Sequence, residues 1–200
     1  MVYNISGVIL AGGASKRFNS TTKANLVIGG KKIISRITDI IKDVFDEIII
    51  VTNTPEEFAE FNNYKIVTDW YKKIGPLGGI HSALKTSSKQ ALFVFAGDMP
   101  LLDKKFIYRQ IDFYHSHKCD ILVPQINALD EPLHAIYSKS LLKTLEEYLS
   151  GYNDYSVKEF FKRINVRYLQ LQDTKENNIM FTNINSPAEI ARIEKILRFG

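Results

Sequence analysis

Short, unbroken runs of apolar residues alternate along this chain with segments in which apolar residues recur at helical spacing. An unbroken apolar run is typical of a strand that is buried on both faces, and the helical recurrence is typical of an amphipathic helix. Regular alternation of the two predicts right-handed strand–helix–strand crossovers and a largely parallel sheet. We therefore expect an α/β fold in which helices cover both faces of a central sheet.

The same pattern predicts the individual elements. Strands are predicted at residues 8–11, 47–51, 65–68, 91–96, 120–124, 133–137, 166–171 and 179–181. Helices are predicted at residues 33–45, 56–61, 77–85, 104–117, 139–149 and 155–163 and from residue 187 onwards. Residues 125–131 are predicted to form a connecting loop and residues 173–178 a polar turn. Asp103, Asp154 and Ser186 precede predicted helices and are candidate caps.

Composition limits the classes of protein to which the chain can belong. A length of 200 residues suits one substantial domain and is short for two, so residues 1–200 are treated as one domain. The net charge of +4 is spread along the chain, which favours an anionic small substrate over nucleic acid. A single cysteine, Cys119, cannot form an internal disulfide, and its neighbours favour a small buried side chain. We expect a cytoplasmic protein without a signal peptide or a membrane-spanning segment.

A glycine-rich loop follows the first predicted strand. Gly12 and Gly13 lack side chains, so the loop can present bare backbone N–H groups to a ligand. Ser15, Arg17 and Lys23 follow, and oriented N–H groups combined with cations suit a polyphosphate. The spacing fits neither the Walker A pattern nor the dinucleotide-binding fingerprint. The alternative is a turn with incidental surface cations.

Polar residues stand directly after several predicted strands. Because parallel strands end at the same sheet edge, we expect Gly12, Asn53 and Asp69 to converge there. The amide and the carboxylate suit the edge of a base or a ribose, although Asn in turns and Asp at helix N-termini also have purely structural roles. Asp98 is a candidate ligand for Mg²⁺, which takes one or two carboxylates alongside substrate phosphates. The alternative for Asp98 is a turn ahead of Pro100.

A second glycine-rich segment, residues 75–79, leads into a predicted helix whose N-terminus can face the same sheet edge. It contains Gly78 and Gly79, and the alternative is a long turn. We interpret His81, at the start of that helix, as structural, because no second His or Cys stands near it at metal-ligand spacing.

The last third of the chain is less explicit. His134 is either a contact for an acceptor phosphate or a half-buried strand residue. Asn183 and Asn185 are two residues apart in a stretch predicted to be extended, so both amides face the site or neither does. Their carbonyl groups suit Mg²⁺ or a ribose, and an amide that bridges two loops is the structural alternative.

The motifs occur in a fixed order: residues 10–17, Lys23, residues 75–80, residues 97–101, residues 132–137 and residues 181–189. In this order and spacing they resemble the molybdenum cofactor guanylyltransferase family of nucleotidyltransferases. The resemblance implies a Rossmann-like, three-layer α/β/α domain of the nucleotide-diphospho-sugar transferase type, with a mostly parallel, mixed sheet. It also implies that GMP is transferred from GTP to the phosphate of molybdenum-bearing molybdopterin, that pyrophosphate is released and that Mg²⁺ is required.

The resemblance also implies roles for individual residues. The nucleotide would be bound by Leu10, Ala11, Gly12, Gly13, Ser15, Lys23, Asn53, Asp69 and Asp98. Asp98 would also bind Mg²⁺ and, with Arg17 and Lys23, take part in catalysis. The acceptor would be bound by Gly78, Gly79, Asn183 and Asn185. Residues 1–103 would then form the nucleotide side and residues 104–200 the acceptor side, with molybdoenzymes or cofactor-handling proteins as candidate partners. The sequence departs from the family at Asn19, where a glycine is usual.

Other functions remain open at this point. A related enzyme would use CTP or another nucleotide and the phosphate of a sugar, polyol or pterin. A non-catalytic protein that hands the cofactor to others would bind a nucleotide without releasing pyrophosphate. An RNA-binding domain would need a basic stripe with stacking aromatic residues, whereas the Phe and Tyr residues here fall mostly on predicted core positions.

Overall fold

The chain is arranged around a central sheet. The computed structural model describes residues 3–12 and 22–199. Its strands are β1 (Ile5–Leu10), β2 (Val27–Ile28), β3 (Lys31–Lys32), β4 (Ile48–Val51), β5 (Lys65–Val67), β6 (Ala91–Ala96), β7 (Ile121–Ile126), β8 (Leu129–Asp130), β9 (His134–Ser138) and β10 (Val166–Leu171). Its α-helices are α1 (Ile33–Ile41), α2 (Pro76–Thr86), α3 (Lys104–Ser116), α4 (Leu141–Gly151), α5 (Val157–Phe161), α6 (Lys175–Met180) and α7 (Pro187–Phe199). The segments Lys23–Asn25 and Pro55–Phe61 are 3-10 helices.

Within the described residues, an 8-stranded mixed sheet has the order β10-β7-β9-β6-β1-β4-β5, with β8 paired to β7. The strands β5, β4, β1 and β6 are mutually parallel, as are β7 and β10. Strand β9 runs antiparallel to both β6 and β7, and β8 runs antiparallel to β7. The predicted α/β class with a mostly parallel, mixed sheet is therefore confirmed.

Apolar side chains fill both faces of the sheet, because successive residues of a strand point to opposite faces. Ile9 and Phe95 belong to a core cluster that includes residues of α1, α3 and α7, and Cys119 packs against its margin. Val8 and Val94 belong to the opposite cluster, which includes residues of α2, α4 and α5. The order of layers is helices, sheet, helices. Among residues 3–12 and 22–199, no helix has the length and hydropathy needed to cross a bilayer.

Two predicted elements in the second half of the chain are wrong. Instead of forming a long loop from residue 125, the chain continues β7 to Ile126 and turns into β8. Asn127 and Ala128 have φ of 49° and 62°, the left-handed pair that a tight hairpin turn requires. The strand predicted at residues 179–181 is instead the end of α6, which begins inside the predicted polar turn. The missed signal is Thr174, whose side chain accepts a hydrogen bond from the N–H of Asn177 as an N-cap.

Helix boundaries mostly lie within two residues of the predicted ones, with two larger differences. The helix predicted at residues 33–45 ends at Ile41, and residues 55–61 form a 3-10 helix instead of an α-helix. Asp103 caps α3 as predicted by accepting hydrogen bonds from N–H groups of the first turn. The carboxylate of Glu189 accepts from the N–H of Ser186 at 2.8 Å, as a capping box requires. The cap of α5 is Ser156 and not Asp154, because the Ser156 hydroxyl accepts from the helix.

The amino ends of the central strands are tied together by one buried carboxylate, Glu47. It accepts hydrogen bonds from the Ser6 hydroxyl, from the Ser88 N–H at 3.1 Å and from Nζ of Lys65 at 2.6 Å. Burial raises the pKa of Glu47, but the hydrogen bonds from Lys65, Ser6 and Ser88 outweigh that effect and lower the pKa to about 2. The carboxylate is therefore ionised at neutral pH and contributes to the stability of the fold.

Replacing Glu47 with Gln should destabilise the protein by about 2 kcal/mol at neutral pH. A carboxylate with a depressed folded-state pKa contributes stability that is complete above its unfolded pKa and is lost as the pH falls toward about 2. Urea unfolding should therefore show a difference between wild type and Glu47→Gln that is largest at neutral pH and shrinks below about pH 4.5. The control is Glu147→Gln, whose carboxylate is 66% exposed. An equal effect of both variants would contradict the role assigned to Glu47.

Candidate functional site

A cavity of about 520 Å³ opens at the carboxyl ends of the central parallel strands. Residues that follow β1, β4, β5 and β6 line it, together with the 3-10 helix Lys23–Asn25 and the first turn of α2. The predicted site residues on its wall are Leu10, Ala11, Gly12, Lys23, Asn53, Asp69, Gly79 and Asp98. The convergence expected from parallel strand ends is therefore observed.

The floor of the cavity is formed where the loops after β1 and β6 touch. The N–H of Gly97 donates a hydrogen bond to the carbonyl of Leu10 at 3.0 Å. A Cβ atom at Gly97 would stand 2.9 Å from that carbonyl oxygen and 3.1 Å from Cα of Ala11. Only glycine allows this approach, and Asp98, the next residue, is thereby held beside the glycine-rich loop.

The ammonium group of Lys23 lies between two oxygen-bearing side chains at the cavity floor. Nζ of Lys23 donates to Oδ2 of Asp98 at 2.9 Å and to Oδ1 of Asn185 at 2.6 Å. Asn185 comes from the loop before α7, and the N–H of Ile184 in the same loop donates to the carbonyl of Asp98 at 3.1 Å. The contact therefore joins three parts of the chain that are far apart in sequence. Because Lys23 and Asp98 are 24% and 21% exposed, the pair remains open to a ligand from the cavity.

Asn53 and Asp69 form a second polar pair on the cavity wall. Nδ2 of Asn53 donates to Oδ2 of Asp69 at 2.8 Å, and the N–H of Asp69 donates to Oδ1 of Asn53 at 3.3 Å. Burial raises the pKa of Asp69 above its ordinary value, and the hydrogen bond from Asn53 offsets only part of this. The carboxylate is therefore short of donors and suited to a ligand that offers N–H or O–H groups.

The second glycine-rich segment supplies the start of α2, in which Pro76 is the first residue after Gly75. Gly75 has φ of 70° and lines the cavity with Pro76 and Gly79. Gly78 has a packing role instead, because a Cβ there would stand 2.5 Å from the Tyr71 carbonyl oxygen. The N-terminus of α2 lies at the cavity as the sequence suggested, although Pro76 has no N–H and the N–H of Gly78 already donates to the carbonyl of Gly75 at 3.2 Å.

Some residues of the cavity wall were not predicted. Thr22, Thr52 and Thr54 line it and form a row of hydroxyls, with Oγ1 of Thr54 at 3.2 Å from that of Thr22 and 3.3 Å from that of Thr52. Lys73 also lines the cavity, with φ of 65°, which is uncommon for a lysine. The position of Thr52 and Thr54 beside Asn53, directly after a strand, was the signal that could have revealed them.

Other predicted residues lie elsewhere. Gly78 and Asn183 do not line the cavity, and Asn185 reaches the cavity floor by accepting the hydrogen bond from Lys23. The sequence predicts an extended backbone that brings both amides, those of residues 183 and 185, to the site or neither of them. The two amides do not both reach the cavity floor. Gly13, Ser15, Arg17 and Asn19 lie outside the described residues.

The donor set at the cavity floor fits Mg²⁺ bound between protein and phosphate. No group of three or more His, Cys, Asp or Glu side chains suited to a metal occurs in the part of the chain that the structure describes. A cage made of protein ligands alone is therefore absent there. Mg²⁺ instead commonly uses one or two carboxylates together with substrate phosphates and water. Asp98 is such a carboxylate. Among the described residues, Lys23 donates to its Oδ2 and not to its Oδ1, so Oδ1 is left for a metal ion.

Comparison with known proteins identifies the family. Residues 7–168 match the model of the MobA-like NTP transferase domain. A probable molybdenum cofactor guanylyltransferase from Natranaerobius thermophilus is 38% identical, over 98% of each chain. The molybdenum cofactor guanylyltransferase from Desulfosudis oleivorans is 32% identical, over 98% of this chain and 97% of that protein. The chain belongs to the molybdenum cofactor guanylyltransferase family. The protein is therefore a nucleotidyltransferase, as the sequence motifs indicated.

Solved structures agree with membership of the guanylyltransferase family. Molybdopterin-guanine dinucleotide biosynthesis protein A from Archaeoglobus fulgidus superposes with a TM-score of 0.81 at 26% identity, over 96% of this chain and 98% of that chain. The CMP-2-keto-3-deoxy-manno-octonic acid synthetase complexed with CTP superposes with a TM-score of 0.74 at 12% identity, over 97% and 98%. The second likeness shows that a synthetase complexed with CTP shares the fold, so the fold alone does not identify the base that a protein binds.

His134 is a core residue of this guanylyltransferase fold and not part of the cavity wall. It was expected to be half-buried, but its exposure is 0%, because the rings of Phe93 and Phe95 lie edge-on to it at 5.2 and 5.3 Å. Its Nδ1 is 3.2 Å from Oε1 of Gln110. Burial lowers the pKa of His134 to about 4. His81 is likewise buried, with Nε2 at 3.1 Å from Oε1 of Glu146.

Protonation of His134 should destabilise the protein in mildly acidic solution. Because its folded-state pKa of about 4 lies below the ordinary 6.5, the unfolded chain binds the proton more tightly and stability falls as the pH drops between these values. The loss should reach at most about 3 kcal/mol. Urea unfolding of His134→Phe should show a shallower decline over this range than wild type. The control is His115→Phe, at an exposed position, and parallel declines in all three proteins would rule out titration of His134.

Proposed function

We propose that this protein transfers GMP from GTP to the phosphate of molybdenum-bearing molybdopterin, with release of pyrophosphate and with Mg²⁺ as cofactor. The observation that carries the proposal is the Lys23–Asp98–Asn185 contact at the floor of a cavity that also contains the Asn53–Asp69 pair. A cation beside a carboxylate suits a metal-bound polyphosphate, and the amide–carboxylate pair suits a base or ribose. The names of the relatives supply guanine and molybdopterin as the substrates.

The reaction forms one bond and breaks another at the α-phosphorus of GTP. An oxygen of the acceptor phosphate attacks this phosphorus, the bond to the bridging oxygen of the β-phosphate breaks, and pyrophosphate leaves with the electron pair. A phosphate monoester is already ionised near neutral pH, so no side chain needs to remove a proton. Catalysis then depends on orientation and on charge stabilisation.

The residues of the cavity have separate tasks in this scheme. Lys23 offsets the charge that develops on the α-phosphoryl oxygens and on the leaving pyrophosphate, and Arg17 is assigned the same task from its place in the sequence motif. Asn53 and Asp69 bind guanosine through the donors and acceptors that they direct into the cavity. Asp98 would hold Mg²⁺, which supplies Lewis-acid stabilisation of phosphoryl charge when it is bound.

The two halves of the chain contribute unequally to this site. Residues 1–103 carry Lys23, Asn53, Asp69 and Asp98, which we assign to the nucleotide. Residues 104–200 provide Asn185 and Leu133 at the cavity and are assigned to the acceptor. Gly79, in the first turn of α2, lines the cavity and is assigned to the acceptor.

A nucleotide panel tests the proposal. GTP with Mg²⁺ should raise the melting temperature of the protein, because a ligand at a hundredfold its dissociation constant adds about 2.7 kcal/mol of stability. ATP, CTP and UTP at the same concentration should cause much smaller shifts, and removal of Mg²⁺ should reduce the GTP shift. Turnover is then measured as pyrophosphate released from GTP with molybdopterin. A larger shift with CTP would leave the chemistry in place but overturn the choice of guanine, and a shift without pyrophosphate release would favour a non-catalytic binding protein.

Replacement of Asp98 should affect turnover far more than folding. Asp98→Asn keeps the size of the side chain but removes the charge, so we expect kcat to fall by about 100-fold or more. The free energy of unfolding should change by less than about 1 kcal/mol, since the Lys23–Asp98 pair is partly exposed. Asp112→Asn, at an exposed position of α3, is the matched control. Retention of most of the wild-type turnover by Asp98→Asn would remove this carboxylate from the mechanism.

A further inference from the structure

Lys23 stands on a very short element that cannot hold itself in place. The 3-10 helix Lys23–Asn25 has three residues, and the Thr22 side chain that precedes it makes no capping hydrogen bond. A helix of this length is not stable alone, because almost none of its backbone groups are paired internally. The position of the Lys23 ammonium group at the cavity floor therefore depends on contacts from outside the helix.

Glu57 supplies such contacts at both ends of the helix. Its Oε2 accepts a hydrogen bond from the N–H of Thr22 at 3.2 Å, before the first residue of the helix. At the other end, Nδ2 of Asn25 donates to Oε2 of Glu57 at 3.3 Å and to its backbone carbonyl at 3.2 Å. One residue thus bridges the two ends of the segment that carries Lys23.

Glu57 is in turn hydrogen-bonded to the loop that carries Asn53. Its N–H donates to the carbonyl of Thr54 at 3.0 Å, and Oγ1 of Thr54 is 3.2 Å from that of Thr22. Thr54 follows Asn53 directly. The Lys23–Asn25 helix and the loop that carries Asn53 are therefore joined through Glu57 and Thr54, although they are separated in sequence by almost thirty residues.

The charge of Glu57 is unfavourable for the chemistry of this cavity. Burial raises its pKa, but hydrogen bonds, led by the one from the N–H of Thr22, outweigh burial and hold the pKa below its usual value. An ionised carboxylate close to a polyphosphate site weakens anion binding through Coulomb repulsion. A carboxylate that acted only through its charge would therefore impair the enzyme, and its removal would improve GTP binding.

We propose that Glu57 is a positioning residue that holds the Lys23–Asn25 helix so that Nζ of Lys23 stays between Asp98 and Asn185. Glu57 does not line the cavity, and in this proposal it acts on the reaction only through Lys23. The inference rests on the proposed function for its catalytic consequence, whereas the contact with the helix stands independently of it.

The kinetic test compares Glu57→Gln with Glu56→Gln. Glutamine has the size of glutamate, but its one carbonyl oxygen can replace Oε2 only as an uncharged acceptor, so the hydrogen bonds from Thr22 and Asn25 lose their charge assistance. We expect kcat/KM for GTP to fall by about 10- to 100-fold, mainly through kcat, because hydrogen bonds to charged groups are among the stronger ones. Glu56→Gln, at an exposed neighbouring position, should change kcat/KM by less than about twofold. A rise in kcat/KM for Glu57→Gln would show that only its charge matters and would overturn the proposal.

A double-mutant cycle tests whether Glu57 acts through Lys23. If it does, Glu57→Gln should cause almost no further loss of kcat/KM when Lys23 has already been changed to Ala. Equal losses in both backgrounds would mean that Glu57 acts independently, which overturns the proposal. Asn25→Ala provides a second variant that leaves the carboxylate intact, and it should lower kcat/KM in the same direction by a smaller factor. An unchanged kcat/KM in Asn25→Ala would contradict the bridging role.

Hydrogen exchange separates this inference from the proposed function. The N–H of Thr22 and those of the following helix should exchange about tenfold faster in Glu57→Gln than in wild type, without any nucleotide present. The same groups should exchange at the wild-type rate in Glu56→Gln. If wild type itself releases no pyrophosphate from GTP, the proposed function fails, and the exchange rates still decide the positioning role. Equal exchange rates in Glu57→Gln and wild type would overturn it whatever the enzyme assay gives.

Discussion

The pairing of β1 with β4 on one side and β6 on the other is the constraint on which the rest of the structure depends. Leu10, the last residue of β1, is in register with Val51 and with Ala96, the last residues of its two neighbours. Because all three strands run parallel, their following loops emerge at the same edge. A shift of one residue would exchange the two faces of the strand and separate the loops that line the cavity. The core and the site are therefore specified by the same hydrogen-bonded register.

Polar groups at the two ends of these strands have opposite roles. At the amino ends, Glu47 is saturated with donors, and such a carboxylate has nothing left to offer a ligand. At the carboxyl ends, Asp69 has a pKa raised by burial and only partly offset by Asn53, so it retains unused capacity to accept hydrogen bonds. Both side chains are acidic and follow or precede apolar strands. Their surroundings, and not their type, make one structural and the other available for binding.

The sequence was most informative where local rules decide the outcome. Continuous apolar runs identified β1, β4 and β6, and the strand-end rule then brought Asn53, Asp69 and Asp98 to one edge. It was least informative where a contact joins distant segments. The bond from Lys23 to Asn185 depends on how α7 packs, and the bridge from Glu57 to Thr22 and Asn25 depends on the turn after β4; neither has a local signature. The helix α6 was missed because Thr174 reads equally well as a turn residue and as an N-cap.

If the Asn53–Asp69 pair has the role proposed for it, the pair would allow a shared fold to select one base. The molybdopterin-guanine dinucleotide biosynthesis protein A and the synthetase complexed with CTP both superpose on this chain. The sheet itself therefore does not select the base. A carboxylate accepts hydrogen bonds but does not donate them, and guanine is the base that presents two adjacent donors, N1–H and the 2-amino group, on one edge. A base without these donors would leave the half-buried Asp69 carboxylate without hydrogen bonds from the ligand. The free-energy cost of such a missing bond is what allows polar sites to discriminate between ligands. Selectivity for guanine would then come from the penalty that Asp69 imposes on other bases more than from additional attraction to the correct one.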